Sequence, residues 1–203
     1  MTRPRKVVVA LGGPSMGKTS LARRIVMTYQ QAHGDESVRV LDPSGAFPEL
    51  GEWPLRSPRG RCEECDTRHS RTGGWIAELT AHGDGPAGGG WGPGLLVLDD
   101  ADRYLTPSSL DDWRDLWLAN RHLGLDVVVT AHRPQGIPKE LLGAASELWL
   151  FGQDEPLALD YLRTIRPVAR ALEAGHLSDL PASPGEAVRV LPREGRAELV
   201  RLF

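Results

Sequence analysis

The chain has 203 residues, 40% of them hydrophobic and 25% charged, with a formal net charge of −3. That is the composition of a folded globular chain, long enough for one domain with insertions, and it excludes wholesale disorder. It also excludes a uniformly basic nucleic-acid coat, though not a local basic channel, and no apolar run reaches the roughly 20 residues of a membrane helix.

Of the 24 basic residues, 21 are arginine, and Asn120 is the sole asparagine, a bias that fits a GC-rich genome or a thermophile. Two cysteines do not make a secreted disulfide scaffold. Arg3, Arg5 and Lys6 ahead of an apolar run imitate a signal peptide, but Val7–Leu11 is too short for its hydrophobic segment. The expectation is a cytoplasmic protein.

Val7–Leu11 reads as a strand buried on both faces, followed by a loop over Gly12–Thr19 and a helix from Lys18 to about Ala32. Leu21, Ile25 and Tyr29 form that helix's apolar stripe, and Gly34 lies just past its end. Ser37–Leu41 is a second strand, ending at Asp42 and Pro43. From Ser44 to Gly94 the chain is irregular and rich in Arg, Gly and Pro, with a short helix expected at Gly73–Ala81. Leu95–Leu98 is another buried strand, closed by Asp99 and Asp100. Ser108–Asn120 is a helix with Ser108 and Asp111 as a near capping box and Leu110, Trp113 and Trp117 on its apolar face. Leu125–Ala131 and Glu147–Phe151 read as strands, Pro156–Ile165 as a helix, and Ala187–Leu191 with Ala197–Phe203 as a hairpin. Strands alternating with helices predict a mostly parallel α/β sheet, one domain over 1–203 with an insertion at about 44–94.

Three segments carry chemistry. Gly12, Gly13, Pro14, Ser15, Met16, Gly17, Lys18 and Thr19 match G-x-x-x-x-G-K-[ST] in full, between a strand and a helix, with Ser20 next in the helix's first turn. Glycines let backbone N–H groups turn inward around phosphate oxygens, and the helix N-terminus adds a favourable dipole. Lys18 is placed to reach the β- and γ-phosphates of ATP, and the Thr19 hydroxyl to ligate Mg²⁺. The strand ending in Asp99 and Asp100 supplies two carboxylates: Asp99 is assigned to the Mg²⁺ shell and Asp100 to polarising the attacking water, with Asp102 as a spare. Without the loop, the same pair would read as a solvated acidic turn. In the strand that ends Thr130-Ala131-His132-Arg133-Pro134, His132 is the candidate to sense the γ-phosphate, with Thr130 behind it. The bland alternative is a histidine that merely caps a strand end.

In order and spacing these segments resemble the FtsK–HerA superfamily of P-loop DNA motors. Its members have a phosphate loop, a strand ending in two acidic residues, and a "GR-x-x-G" stretch leading to a strand that ends "TQRP". Asn120–Leu125 and Val127–Pro134 look like the latter arrangement, and Arg39–Gly45 is similar to the "hhD-x-x-G" segment after the second strand. The short chain is similar to virus genome-packaging ATPases and, second, to zonular-occludens-toxin-like assembly ATPases. The resemblance covers roughly Lys6 to Phe151. It implies a three-layer RecA/ASCE-like P-loop NTPase that hydrolyses ATP to move duplex DNA through a homo-oligomeric ring, commonly a hexamer. Capsid or portal-region proteins are the implied partners, in the host cytoplasm or the virion. An arginine finger is also implied: Arg121 matches the "GR" arginine and is favoured, and Arg133 matches the "RP" one. Two residues depart from the pattern, Asp100 standing for the usual Glu and His132 for the Gln. A nucleotide or small-molecule kinase and a non-translocating assembly switch are the alternatives.

Weaker signals lie in the insertion. Cys62 and Cys65, with His69 and His82, are a candidate zinc site, a redox pair or two ordinary thiols. Arg56, Arg59, Arg61, Arg68 and Arg71 against Glu63, Glu64 and Asp66 make Leu55–Arg71 locally basic, either facing DNA phosphates or simply solvated. Trp53, Trp75 and Trp91 also fall in this irregular region.

Overall fold

A computed structural model describes residues 5–52, 94–105, 113, 114, 117, 124–153 and 157–203. Its frame is one eight-stranded sheet: β1 (Val7–Leu11), β2 (Val38–Leu41), β3 (Gly51–Glu52), β4 (Gly94–Leu98), β5 (Leu125–Ala131), β6 (Glu147–Phe151), β7 (Glu186–Leu191) and β8 (Arg196–Arg201). The spatial order is β3-β2-β4-β5-β1-β6-β7-β8. Strands β1 to β6 pair in parallel, and the β7–β8 hairpin adds two antiparallel strands at one edge.

Every residue of β1, β4 and β5 is buried, because helices cover both faces of the sheet, and a strand so covered needs apolar side chains on both sides. On one face, Val8, Leu95, Val97 and Val128 pack against helix α1 (Lys18–His33). On the other, Val7, Val9, Leu96, Leu98, Val127 and Val129 meet Trp113, Trp117 and the helices α2 (Lys139–Ala144), α3 (Leu157–Arg163) and α4 (Arg166–Ala174). The alternation of neighbouring residues between two cores is the period-2 geometry of a strand. It makes the architecture three-layered.

β1, β5 and β6 have the bounds expected from the sequence, and the hairpin and the mostly parallel sheet are present. Other details differ, β3 and small shifts in the bounds of β4, β7 and β8 among them. Residues 35–37 form a 3₁₀ turn, so β2 starts at Val38. In α1 the fully buried stripe is Leu21, Ala22, Val26 and Tyr29, while Ile25 is only half-buried. The helix expected over Pro156–Ile165 stops at Arg163, and α4 begins at Arg166, with Pro167 tolerated in its first turn. α2 is an element the sequence reading lacks. Trp113 and Trp117 are helical and buried, as expected, and the rest of that helix lies outside the described residues. So do the Gly73–Ala81 helix, Cys62, Cys65, the arginine-rich loop, Trp53, Trp75, Trp91 and Arg121.

Candidate functional site

Register brings the site together. Leu11 lies level with Ala131 and with Leu150, Leu98 with Val129, and Leu41 with Leu98. The residues just past these positions, Gly12, His132, Asp99 and Asp42, therefore emerge side by side at the carboxyl edge of the sheet. β5 stands between β1 and β4, so His132 separates the phosphate loop from the carboxylates.

The loop is anchored at its start by Gly12 N–H to Ala131 C=O (3.2 Å) and Gly13 N–H to Gly152 C=O (2.8 Å). A Cβ on Gly12 would stand 2.5 Å from that of Phe151, so only glycine passes. Gly17, at φ +118°, turns the chain into α1. The first intrahelical bond runs from Leu21 N–H to Gly17 C=O (2.9 Å). The N–H groups of Lys18, Thr19 and Ser20 consequently have no intrahelical partner and are available to an anion.

Lys18 is 5% exposed, and its Nζ donates to the carbonyls of Gly12 (2.8 Å) and Gly13 (2.9 Å). Burial holds its pKa below the ordinary lysine value, against the opposing pull of Asp100, Asp102 and Asp99. Nζ also lies 3.4 Å from His132 Nδ1, while His132 Nε2 lies 3.2 Å from Asp100 Oδ1. The Nε2–H tautomer satisfies both contacts, with Lys18 donating to Nδ1 and the ring donating to Asp100.

Asp99 is 1% exposed. Thr130 Oγ1 donates to its Oδ1 (2.7 Å), Ser44 Oγ donates to its Oδ2 (3.2 Å), and the Tyr104 hydroxyl donates to its main-chain carbonyl (3.0 Å). Burial pushes the Asp99 carboxyl up, and the nearby Asp100 and Asp42 add to this while the Thr130 and Ser44 hydroxyls oppose it. Asp100 takes a left-handed conformation at φ +47°, and its N–H donates to the same Thr130 hydroxyl (3.0 Å). Asp42 accepts from Ser44 N–H (3.0 Å) and from Phe47 N–H (2.6 Å), and its Oδ1 lies 3.0 Å from the Ser44 hydroxyl, whose single proton is shared between Asp42 and Asp99. Burial would raise its pKa, but the N–H donors of Phe47 and Ala46 outweigh that and hold it below the usual value. Asp102 Oδ1 is buried with no hydrogen-bond partner among the described residues.

The structure thus brings the loop, Lys18, Asp99, Asp100 and His132 together at one sheet edge, and it buries Thr130. That side chain is fully buried, and its hydroxyl is engaged by both acidic residues. It cannot stand in for His132 toward a phosphate. The sequence reading also missed Ser44 and Tyr104 as supports of Asp99, and Asp42 as their neighbour. The available signal was the Asp42-Pro43-Ser44-Gly45 segment at a strand end.

A phosphate loop on the strand beside β5, with the carboxylate strand one further out, defines a three-layer α/β P-loop NTPase fold. The full chain is similar to the genome-packaging NTPase B204 of Sulfolobus turreted icosahedral virus 2 in complex with AMPPCP: TM-score 0.68, 17% identity, 100% of both chains covered. The ATP-gammaS complex of the same protein matches with a TM-score of 0.65 at 15% identity, again over 100% of both chains. EssC (ATPases 2 and 3) from Geobacillus thermodenitrificans matches with a TM-score of 0.62 at 12% identity, covering 98% of this chain and 39% of that one. No family model and no curated protein matches the sequence.

Proposed function

We propose that the protein hydrolyses ATP to drive duplex DNA through a ring of its own copies, most specifically to package a viral genome. The observation that carries this reading is the end-to-end likeness to a genome-packaging NTPase, supported by a lysine, two carboxylates and a glycine-rich loop gathered at one sheet edge. An ATP-dependent hydrolase needs little covalent help from the protein; it needs positioning and charge stabilisation. Here the loop and the α1 N-terminus bind the phosphates. Lys18 swings from the two carbonyls to the β- and γ-oxygens, and Asp100 orients water while His132 bridges it to the γ-phosphate end.

Hydroxyl and carboxylate oxygens suit Mg²⁺, and Asp99 fits that role, being buried and hydrogen-bonded through its side chain to two hydroxyls with no cation among those partners. Thr19 and Asp99 would hold the ion, which when bound would neutralise charge on the phosphates. Arg121 as finger, Cys62 and Cys65 as zinc ligands, a hexameric ring and capsid or portal partners belong to the same proposal. The kinase alternative is disfavoured by β5 lying between the loop strand and the carboxylate strand. Among the described residues no helix is long and apolar enough to cross a membrane.

The test is steady-state ATP hydrolysis with and without linear duplex DNA, with Lys18→Ala as the blank. Stimulation by DNA that vanishes in the blank is expected. Turnover indifferent to DNA would reject the motor and favour the assembly switch.

A further inference from the structure

Phe203 is 70% exposed, yet its ring is not adrift. A Cβ built on Gly185 would collide with that ring, so the ring lies on the bare Cα of the glycine. Gly185 itself is bound to the phosphate loop, its N–H donating to the Met16 carbonyl (3.0 Å), and its own carbonyl accepts from Leu202 N–H (2.8 Å). Arg24, nearly two turns into α1, also donates to the Leu202 carbonyl (3.3 Å). An exposed aromatic ring is thereby fixed one residue away from the tip of the loop.

The geometry of the site gives that ring a use. Lys18 leans toward His132, and His132 toward Asp100, so the reacting end of a bound triphosphate faces β5 and β4. A ligand that extends away from that end crosses to the opposite flank of β1, where β6, β7 and β8 lie. Because β7 and β8 run antiparallel, the start of one and the end of the other come to the same sheet edge as the loop. That edge carries Gly185 and Phe203.

Resting on the nucleotide reading above, we propose that Phe203 is the stacking platform for the base of the nucleotide whose phosphates fill the loop. Stacking on an aromatic face accepts any base, because every base has a π-face. The platform therefore supplies affinity to ATP and GTP alike.

The experiment is calorimetric titration of ATP, GTP and inorganic tripolyphosphate, each with Mg²⁺, into wild type, Phe203→Ala, Phe203→Trp and Lys18→Ala. Phe203→Ala should weaken ATP and GTP about tenfold and leave tripolyphosphate within about twofold, with Phe203→Trp restoring both nucleotides. Unchanged nucleotide affinity in Phe203→Ala overturns the platform while leaving the nucleotide site standing. So does an equal loss for tripolyphosphate, which would make the ring a support of the loop. If wild type binds no nucleotide, or Lys18→Ala binds as tightly, the nucleotide site itself fails and the platform with it.

Discussion

The two ends of the central strands carry the same kinds of residue in opposite states. At the amino edge, Lys6 Nζ meets Glu147 Oε1 at 2.6 Å, Arg189 meets Glu147 Oε2 at 3.1 Å, and Arg5 meets Asp126 at 3.4 Å. Lys6 N–H donates to Asp126 as well (2.6 Å). Cations and carboxylates cancel each other there, and the cluster clamps β1, β5, β6 and β7 in register. At the carboxyl edge, Asp99 and Asp42 are met by hydroxyls and N–H groups, and Lys18 points at carbonyls rather than at a carboxylate. Its burial is held at a cost, visible in the lowered pKa of Lys18 and the raised one of Asp99. Buried charges whose hydrogen bonds go to neutral groups, in a cluster that perturbs their pKa values, mark a candidate functional site. The first cluster stabilises the sheet, and the second is poised for an incoming polyanion and cation.

The sharpest way to break this contrast is Lys18→Ala. Removing the lysine from the carboxyl edge should cut ATP hydrolysis by about 10²–10³-fold, on the scale of losing one charge-stabilising donor. The melting temperature should fall only modestly, because the desolvation of the buried cation offsets much of what its two carbonyl hydrogen bonds contribute. Phosphate release and a thermal melt on the same sample check both halves. Thr130→Val is next: it keeps the shape and deletes the hydroxyl that holds Asp99 and the Asp100 N–H together. Stability should fall by about 1–3 kcal/mol, and the Mg²⁺ concentration for half-maximal turnover should rise about tenfold, about 1.4 kcal/mol on the same scale. Thr130→Ser should restore the Mg²⁺ response. If only the melting point shifts, the hydroxyl belongs with the structural cluster instead.

What could be read beforehand divides along a physical line. β1, β5 and β6 were legible because strands buried on both faces show as unbroken apolar runs, and the loop because only glycines at set positions let backbone N–H groups surround phosphate. Asp99, Asp100 and His132 were legible as polar residues at the ends of such runs. By contrast, α2 and α4 were hidden: α2 is six residues long, and α4 starts with Arg166-Pro167, which looks like a stop. Its Val168, Ala171 and Leu172 keep helical spacing, but over only nine residues that open on a proline. The Thr130, Ser44 and Tyr104 contacts to Asp99 join residues 31, 55 and 5 apart, from three different strand ends. The pairings across 31 and 55 residues are made by the strand order, and local pattern does not report which residues it brings together.

The smallest predicted effect tests the amino edge. Burial raises the Glu147 pKa, but the Lys6 hydrogen bond and the charges of Lys6 and Arg189 overcome it and hold the carboxyl below its ordinary value of 4.5. A carboxyl depressed in the folded state binds its proton later than in the unfolded chain, so its contribution is complete above about pH 4.5 and is lost as pH falls through the folded value. Glu147→Gln removes the charge and leaves the shape. With Lys6 41% exposed at its side chain, the loss at pH 7 should be only about 1–2 kcal/mol, read from urea unfolding. Wild type and variant should converge as the pH drops from 5 toward 3, since protonation does to the glutamate what the substitution has already done. ATP turnover at pH 7 should be unaltered, because no charge at the carboxyl edge has moved. Equal stability at pH 7 would show that the amino-edge pairs merely balance their own desolvation, and a fall in turnover would show that the two ends of the strands are coupled.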